Sequence, residues 1–272
     1  MKKKYGIIGN PIKHSLSPVL HNYWFEKYKI DADYSIIEIE ESDLPGIVQK
    51  VKNQNYQGIN ITLPFKQKIV PYLDVLVNDA KVTSSVNTLF LNANGAVVGE
   101  NTDVFGLQAA YLKEVDNAQQ KKAIVIGAGG VSPSVILSLQ KSGIKNISII
   151  NRTVEKCIFL KKKFKILNIC EWKNLQREIK NYDIIINATS LGLKNGNDFD
   201  FNFELKKNAI YIDTIYNPLE TKNLRHLKEQ DFKVFNGLDM FIYQGQKSFY
   251  LWNKINPEID QTLVELLLSK LK

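Results

Sequence analysis

The run Lys122-Ala-Ile-Val-Ile-Gly-Ala-Gly-Gly-Val-Ser-Pro-Ser-Val-Ile-Leu137 leaves this chain little choice of fold. Ala123 to Ile126 are four consecutive apolar residues, which suits a buried strand. Gly127, Gly129 and Gly130 follow at once. Val131 to Leu139 then reads as a helix, with Ser132 and Pro133 at its start, where the N–H that proline lacks would have no helical partner anyway. Strand, glycine turn and helix together make a phosphate cradle. Glycine lets the backbone turn tightly and approach a pyrophosphate, and the helix N-terminus offers free N–H groups and partial positive charge. A G-x-G alone is weak, and the third glycine of G-x-G-x-x-G is Ser132 here. Context strengthens it: a second strand, Ile147 to Ile150, ends roughly 20 residues on, where dinucleotide binders read the ribose.

Asn151-Arg152-Thr153 follow that strand, with no acid among them. An Asp or Glu here would accept a hydrogen bond from a ribose 2′-OH and repel a 2′-phosphate. An Arg presents a planar fork of donors to that phosphate. Of the 36 Lys and Arg residues only Arg152, Arg177 and Arg225 are Arg, so an Arg at this strand tip selects for geometry as well as charge. The residues read as NADP rather than NAD; the plain alternative is an ordinary surface Arg.

The 272 residues, 44% of them hydrophobic, support one or two domains with real cores. No apolar run approaches the roughly 18 residues of a membrane span. The start Met1-Lys-Lys-Lys-Tyr5 lacks the apolar stretch of a signal peptide, which favours a cytoplasmic location. Cys157 and Cys170 have no metal spacing and read as inert thiols. The net charge of +8 comes from Lys scattered along the chain, with short clusters at 2–4 and 161–163 and no basic–aromatic interleaving on one face. That pattern reads as a solvated Lys-rich exterior rather than a nucleic-acid surface, and suits attraction of an anionic cofactor and substrate.

In chain order, Tyr5 to Ile8 reads as a strand broken by Gly9-Asn10-Pro11. Ser17-Pro18 opens a helix, with Leu20, Tyr23, Trp24 and Tyr28 on one face. Ser15 and Ser17 have two readings: simple capping, which suits Ser17, or two hydroxyls seating a carboxylate. Tyr34 to Ile39 and Gly58 to Thr62 read as strands, Leu44 to Val51 as a helix, and Phe65-Lys66-Gln-Lys68 as the start of another. Asn60, Thr62 and Lys66 therefore cluster near a strand C-terminus, where α/β sheets bind ligands. Thr88 to Asn92, Asn94-Gly95 and Val97-Val98 form a hairpin signal. Asp103 precedes a helix, Val104 to Leu112, and a helix cap is its plain reading. Strands at 182–187, 209–213 and 232–235 alternate with helices, one of them at 156–164, and extend the glycine-turn strand into a doubly wound sheet. From Asp239 to Leu271 the pattern is helical, interrupted at Pro257. His14 reads as turn structure, His21 as a helix-face residue and His226 as exposed.

Laid out this way, the chain resembles the shikimate dehydrogenase family almost end to end. The resemblance is carried by Gly9-Asn-Pro-Ile-Lys-His-Ser-Leu-Ser-Pro-Val-Leu-His-Asn22, Asn60-Ile-Thr-Leu-Pro-Phe-Lys66, Ser85-Val-Asn-Thr88, Gly99-Glu-Asn-Thr-Asp103, Asn151-Arg-Thr153 and Asn236-Gly-Leu-Asp-Met240 with Gln244. It implies an α/β fold of two domains. One is a discontinuous substrate-binding and catalytic domain, 1–103 plus 240–272; the other is a Rossmann-type NADP-binding domain, 104–239. It implies that Lys66 and Asp103 flank the reacting carbon and that Ser15 and Ser17 hold a carboxylate. Asn60, Thr62, Asn87 and Gln244 would bond ring hydroxyls or the carboxylate end, and Tyr216 would also reach the substrate. Gly127, Ala128, Gly129, Gly130 and Val131 would cradle the pyrophosphate, Asn151, Arg152 and Thr153 the 2′-phosphate, and Gly237 would lie by the nicotinamide. The implied reaction is the reversible NADPH-dependent reduction of 3-dehydroshikimate to shikimate, in a monomer or homodimer with neither nucleic-acid nor membrane partners. Three rival readings share features with this chain: a quinate/shikimate dehydrogenase, a non-catalytic dinucleotide sensor, and a methylene-tetrahydrofolate dehydrogenase. The acid-free 151–153 turn argues against the first, retention of both Lys66 and Asp103 against the second, and the Ser15/Ser17 pair against the third. Two departures stand out: Val131-Ser-Pro-Ser134 lacks the Arg usual after the glycine turn, and Asp239 replaces a Gly.

Overall fold

The computed structural model describes residues 2–113, 115–193 and 196–271. The chain divides into two compact units, Met1–Phe105 with Ile242–Lys272, and Gly106–Phe241. In the first, β1 (Lys3–Gly9), α1 (Ser17–Lys27), β2 (Ala32–Glu38), α2 (Leu44–Lys52) and β3 (Gly58–Ile61) are followed by β4 (Val75–Leu76), α3 (Asn78–Thr83), β5 (Thr88–Leu91), β6 (Val97–Glu100) and α4 (Asp103–Leu107). The sheet order is β2-β1-β3-β5-β6-β4, parallel from β2 to β3 and antiparallel through β3, β5 and β6. Ile8, Ile59, Ile61, Leu44, Val48, Val51 and Leu89 pack together as its core.

The second unit holds β7 (Lys122–Ile126), α5 (Ser132–Lys141), β8 (Asn146–Asn151), α6 (Val154–Lys163), β9 (Leu167–Glu171), α7 (Leu175–Glu178), β10 (Ile184–Asn187), β11 (Ile210–Asp213), α8 (Lys222–Lys228) and β12 (Lys233–Phe235). Its six strands are all parallel, in the order β12-β11-β10-β7-β8-β9. This is the doubly wound Rossmann order, and it reverses between β7 and β10, the switch point where such sheets bind ligands. α9 (Leu238–Asn253) and α10 (Gln261–Ser269) end the chain.

In the first unit, Trp24, Phe25, Phe249 and Trp252 form an aromatic core around His21. Gly58 is required there, because a Cβ would lie 2.3 Å from the Trp252 indole nitrogen. His21 lies on the face of α1 that packs inward, fully buried and stacked on Tyr34 at 4.5 Å. Burial pushes its imidazole down to about 3, so it stays neutral at physiological pH. His14 is exposed, whereas His226 is half-buried beside Gln230.

Three local expectations fail for physical reasons. Residues 65–69 form turns and a 3-10 segment, Val70–Tyr72, rather than an α-helix. Six residues between Pro64 and Pro71 are too few to repay helix nucleation, and Pro71 lacks the N–H that an α-helix continuing through it would use. Leu16, not Ser17, is the N-cap of α1; Ser15 Oγ accepts the Ser17 N–H at 3.2 Å. The helix expected from Val104 to Leu112 is α4 followed by a π turn, Gln108–Leu112. The strand β9 and the short α3 had too brief an apolar pattern to register in sequence.

Candidate active site

In the first unit, β3 and the hairpin β5–β6 run side by side, pairing Asn60 with Thr88 and Thr88 with Glu100. Just past the ends of these strands lie Lys66, Asn87 and Asp103. The Lys66 carbonyl accepts the Val86 N–H at 2.8 Å, which fixes the turn that carries Lys66 beside β5. Lys66 Nζ then meets Asp103 Oδ2 at 2.7 Å, with both side chains largely buried. Asn87 Nδ2 donates to Asp103 Oδ1 at 2.8 Å and lies 3.3 Å from Gln244 Oε1 on α9. Asp103 therefore spends its carboxylate on Lys66 and Asn87. The Asn101 side chain is what accepts an N–H at this helix start, that of Asp103 itself, at 3.1 Å. A cap role for Asp103 is replaced by a tightly held ammonium–carboxylate pair.

Of the other expected residues, Ser15 and Ser17 hydroxyls lie 3.2 Å apart at the start of α1. Thr62 is half-buried at the end of β3, and its N–H donates to the Ile8 carbonyl at 2.9 Å. The structure brings Asn60 to Asn87 but fills its hydrogen-bonding capacity. Its Oδ1 accepts from Tyr34 Oη at 2.7 Å, and its Nδ2 donates to the Asn87 carbonyl, Thr88 Oγ1 and Ser248 Oγ. Ser248 also contacts Thr88 and Thr102 hydroxyls at 2.8 and 3.1 Å, closing a buried polar network behind the ion pair. Sequence reading missed Ser248 and Tyr34, because their partners lie up to 188 residues away.

The second unit holds Tyr216, tilted on Phe241 at 4.7 Å, and the expected nucleotide residues. Gly127 has φ +111°, and a Cβ on it would lie 2.8 Å from the Ala188 carbonyl oxygen. At Gly129 a Cβ would meet only open space. Ser132 explains its own place in the fingerprint: its Oγ accepts the Gly129 N–H at 2.9 Å and donates to the Gly127 carbonyl at 3.0 Å, closing the turn over Ala128 and Gly130. Val131 is the N-cap of α5. Asn151 ties the glycine turn to the 151–153 turn, its Oδ1 accepting the Ala128 N–H at 3.2 Å and its Nδ2 donating to the Thr153 carbonyl at 2.9 Å. Arg152 and Thr153 are exposed, and Arg152 has no ion-pair partner among the described residues. Gly237 is held by its N–H to the Ile215 carbonyl at 2.8 Å and touches Thr214 so closely that a Cβ would lie 2.3 Å from the carbonyl oxygen. Asp239 is an exposed residue in the first turn of α9, where the helix dipole favours a carboxylate, and partial desolvation by its neighbours raises its carboxyl. These features fit a bound dinucleotide: a close-approach turn at a switch point, a helix N-terminus behind it, and a free guanidinium one strand over.

Asp213, unflagged in sequence, is fully buried at the end of β11 and has no cationic partner among the described residues. Burial pushes its carboxyl up to about 6, against 3.8 for an ordinary Asp. The folded chain thus keeps a proton that the unfolded chain releases as pH rises from about 4 to 6, so stability is lost across that window. Roughly two pH units correspond to about 3 kcal/mol. Asp213→Asn is therefore expected to melt at a higher temperature than the parent at pH 7.5. The gap should close below about pH 4. A lower melting temperature for the variant at pH 7.5 would refute this.

A Rossmann-type unit and a second α/β unit carrying a buried Lys–Asp pair define the class as a two-domain nucleotide-dependent oxidoreductase. Comparison with known proteins gives the particular family. Residues 7–89 match the family model of the shikimate dehydrogenase substrate binding domain, and 110–195 that of shikimate/quinate 5-dehydrogenase. A Pelagibacter ubique protein named shikimate dehydrogenase (NADP(+)) is 43% identical over 268 residues, spanning 98% of this chain and 99% of its own. The crystal structure of shikimate dehydrogenase from Aquifex aeolicus is 36% identical, with a TM-score of 0.88 over 98% of this chain and 97% of that one. Shikimate 5-dehydrogenase from Thermus thermophilus, solved with NADP(H) and shikimate, is 28% identical, with a TM-score of 0.87 over 99% of this chain and all of that one. The chain belongs to the shikimate dehydrogenase family.

Proposed function

We propose that this protein reversibly reduces 3-dehydroshikimate to shikimate with NADPH, the shikimate-forming step of aromatic amino acid biosynthesis. The observation that carries the reading is the Lys66–Asp103 pair at 2.7 Å, steadied by Asn87. Bound at the glycine turn, NADPH supplies the hydride. Gly127, Ala128, Gly129, Gly130 and Val131 would receive its pyrophosphate, Asn151, Arg152 and Thr153 its 2′-phosphate, and Gly237 the nicotinamide end. Lys66 meets the ring ketone, stabilises the negative charge that develops on its oxygen, and donates the proton that completes the alcohol. Asp103 keeps the ammonium oriented and accepts from a neighbouring ring hydroxyl. Asn87, Gln244, Thr62 and Tyr216 orient the ring, with Asn60 acting through Asn87. Ser15 and Ser17 hold the carboxylate. No helix of the described residues is long and apolar enough to cross a membrane, and the reading carries with it a cytoplasmic monomer or homodimer.

Ser15→Ala is expected to raise the KM for shikimate about tenfold with little change in kcat, since a hydrogen bond to a charged group contributes about 1.5–3 kcal/mol. Steady-state kinetics check this; an unchanged KM would leave Ser15 only its bond to the Ser17 N–H. The activity itself is tested by following nicotinamide absorbance with shikimate and quinate, each against NADP and NAD. Rapid turnover of shikimate with NADP, and slow turnover in the other three combinations, is expected. Preferred oxidation of quinate, or preference for NAD, would replace the reading with a quinate/shikimate dehydrogenase.

A further inference from the structure

A fully buried carboxylate without a cation is uncommon in a folded protein, and among the described residues Asp213 is held by neutral donors alone. Its Oδ1 accepts from Asn187 Nδ2 at 3.1 Å and from the Ile215 N–H at 3.0 Å, and its Oδ2 accepts from Thr221 Oγ1 at 3.0 Å. Two of these bonds lead to the crevice at the switch point, one to each edge, while the third, from Thr221, ties in the N-cap of α8. Asn187 closes β10, and its Oδ1 accepts from the Thr189 N–H and Oγ1 at 3.1 and 2.7 Å, while its Nδ2 also reaches the Leu191 carbonyl at 3.1 Å. Residues 188–189 are those against which the Gly127 turn rests. On the other edge, Ile215 accepts the Gly237 N–H at 2.8 Å, and Thr214 donates its N–H and Oγ1 to the Asn187 carbonyl at 3.0 and 2.9 Å.

The geometry points to Asp213 as a positioning residue that locks together the two loops forming the floor of the dinucleotide crevice, so that its charged form sets the affinity for the cofactor. This inference rests on the dinucleotide reading of the glycine turn, and it adds a residue to which that reading assigned no role. The carboxylate accepts all three bonds at once. A protonated Asp213 must donate from one oxygen, so one of the three is reversed or lost. The groups facing it are Tyr211 on its own strand and Tyr111 on the π turn, both phenols, together with the neutral Asn187, Thr221 and Ile215 backbone. Asp213 is therefore the group there that titrates between pH 5 and 8, as burial raises it to about 6. Asn at this position mimics the protonated state at every pH, with Oδ1 still able to accept from Asn187 and Ile215.

The test is direct binding of NADPH to the full chain without substrate, comparing the parent with Asp213→Asn from pH 5 to 8. The ratio of the two dissociation constants cancels titration of the cofactor's own 2′-phosphate. Hydrogen bonds to a charged acceptor exceed neutral ones by about 1 kcal/mol, which corresponds to a ratio of roughly fivefold at pH 7.5. That ratio should fall towards one by pH 5, and the Leu224 amide, which bonds the Thr221 hydroxyl, should exchange faster in the variant at pH 7.5 only. A ratio that stays at one, or one that is constant across the pH range, would overturn the inference. A parent that binds NADPH but fails to oxidise shikimate would count against the proposed reaction alone, because binding is read without turnover. A parent that binds no NADPH would overturn both.

Discussion

Lys66→Ala turns over shikimate at least ~10²-fold more slowly than the parent while binding NADPH with unchanged affinity: this is the largest effect the structure predicts, and it is what a positioned general acid is worth. The loss falls on kcat, because the ammonium acts on charge that appears as the carbonyl is reduced. The substitution also leaves Asp103 largely buried without its cation, so a lowered melting temperature is expected beside the rate loss. Lys68, two residues on, provides the control. It is an exposed lysine paired with Glu41, and Lys68→Ala should retain parental rates. Stopped-flow and steady-state assays on the two variants separate a working ammonium from one of many solvated lysines. Equal rates for parent and Lys66→Ala would remove Lys66 from the chemistry.

Arg152→Ala raises the KM for NADP by roughly 10- to 100-fold and leaves that for NAD within about twofold, since about 1.5–3 kcal/mol goes with a charge-assisted bond that only the 2′-phosphate makes. The guanidinium has no competing ion pair among the described residues, and Asn151 holds its turn against the Ala128 N–H. The effect should shrink at high salt, because both partners are exposed to solvent. An equal rise for NADP and NAD would show that Arg152 supports the turn in general and does not read the phosphate.

Much of this architecture is legible in the chain because it is local. Ala123 to Ile126 followed by three glycines within four residues reads as a strand entering a tight turn, and Asn94-Gly95 between the apolar runs Leu89-Phe90-Leu91 and Val97-Val98 reads as a hairpin. Lys66 and Arg152 stand out as candidates because each follows a strand end, where α/β sheets gather function, whereas Asp103 reads locally as a helix cap and is singled out, like the role of Lys66, by the family resemblance. What stayed hidden depends on long-range partners. Nothing around Ser248 announces that its hydroxyl meets Asn60, Thr88 and Thr102. Asp213 is simply the last residue of an apolar strand until Asn187 and Thr221 are folded against it. Ser17-Pro18 has the local chemistry of a helix cap, yet the chain enters α1 one residue earlier, so Ser15 takes the exposed N–H instead. His21 reads in sequence only as a helix-face residue, and what covers that face, Phe249 and Trp252, comes from the far end of the chain.

The measurement closest to the central claim is a crystal structure of the protein with NADP and shikimate bound together. It should place Lys66 Nζ within about 3.2 Å of the ring oxygen being oxidised, with Asp103 still in contact with the ammonium. An ammonium turned towards bulk water and away from the sugar acid would contradict the mechanism and leave only the fold in place.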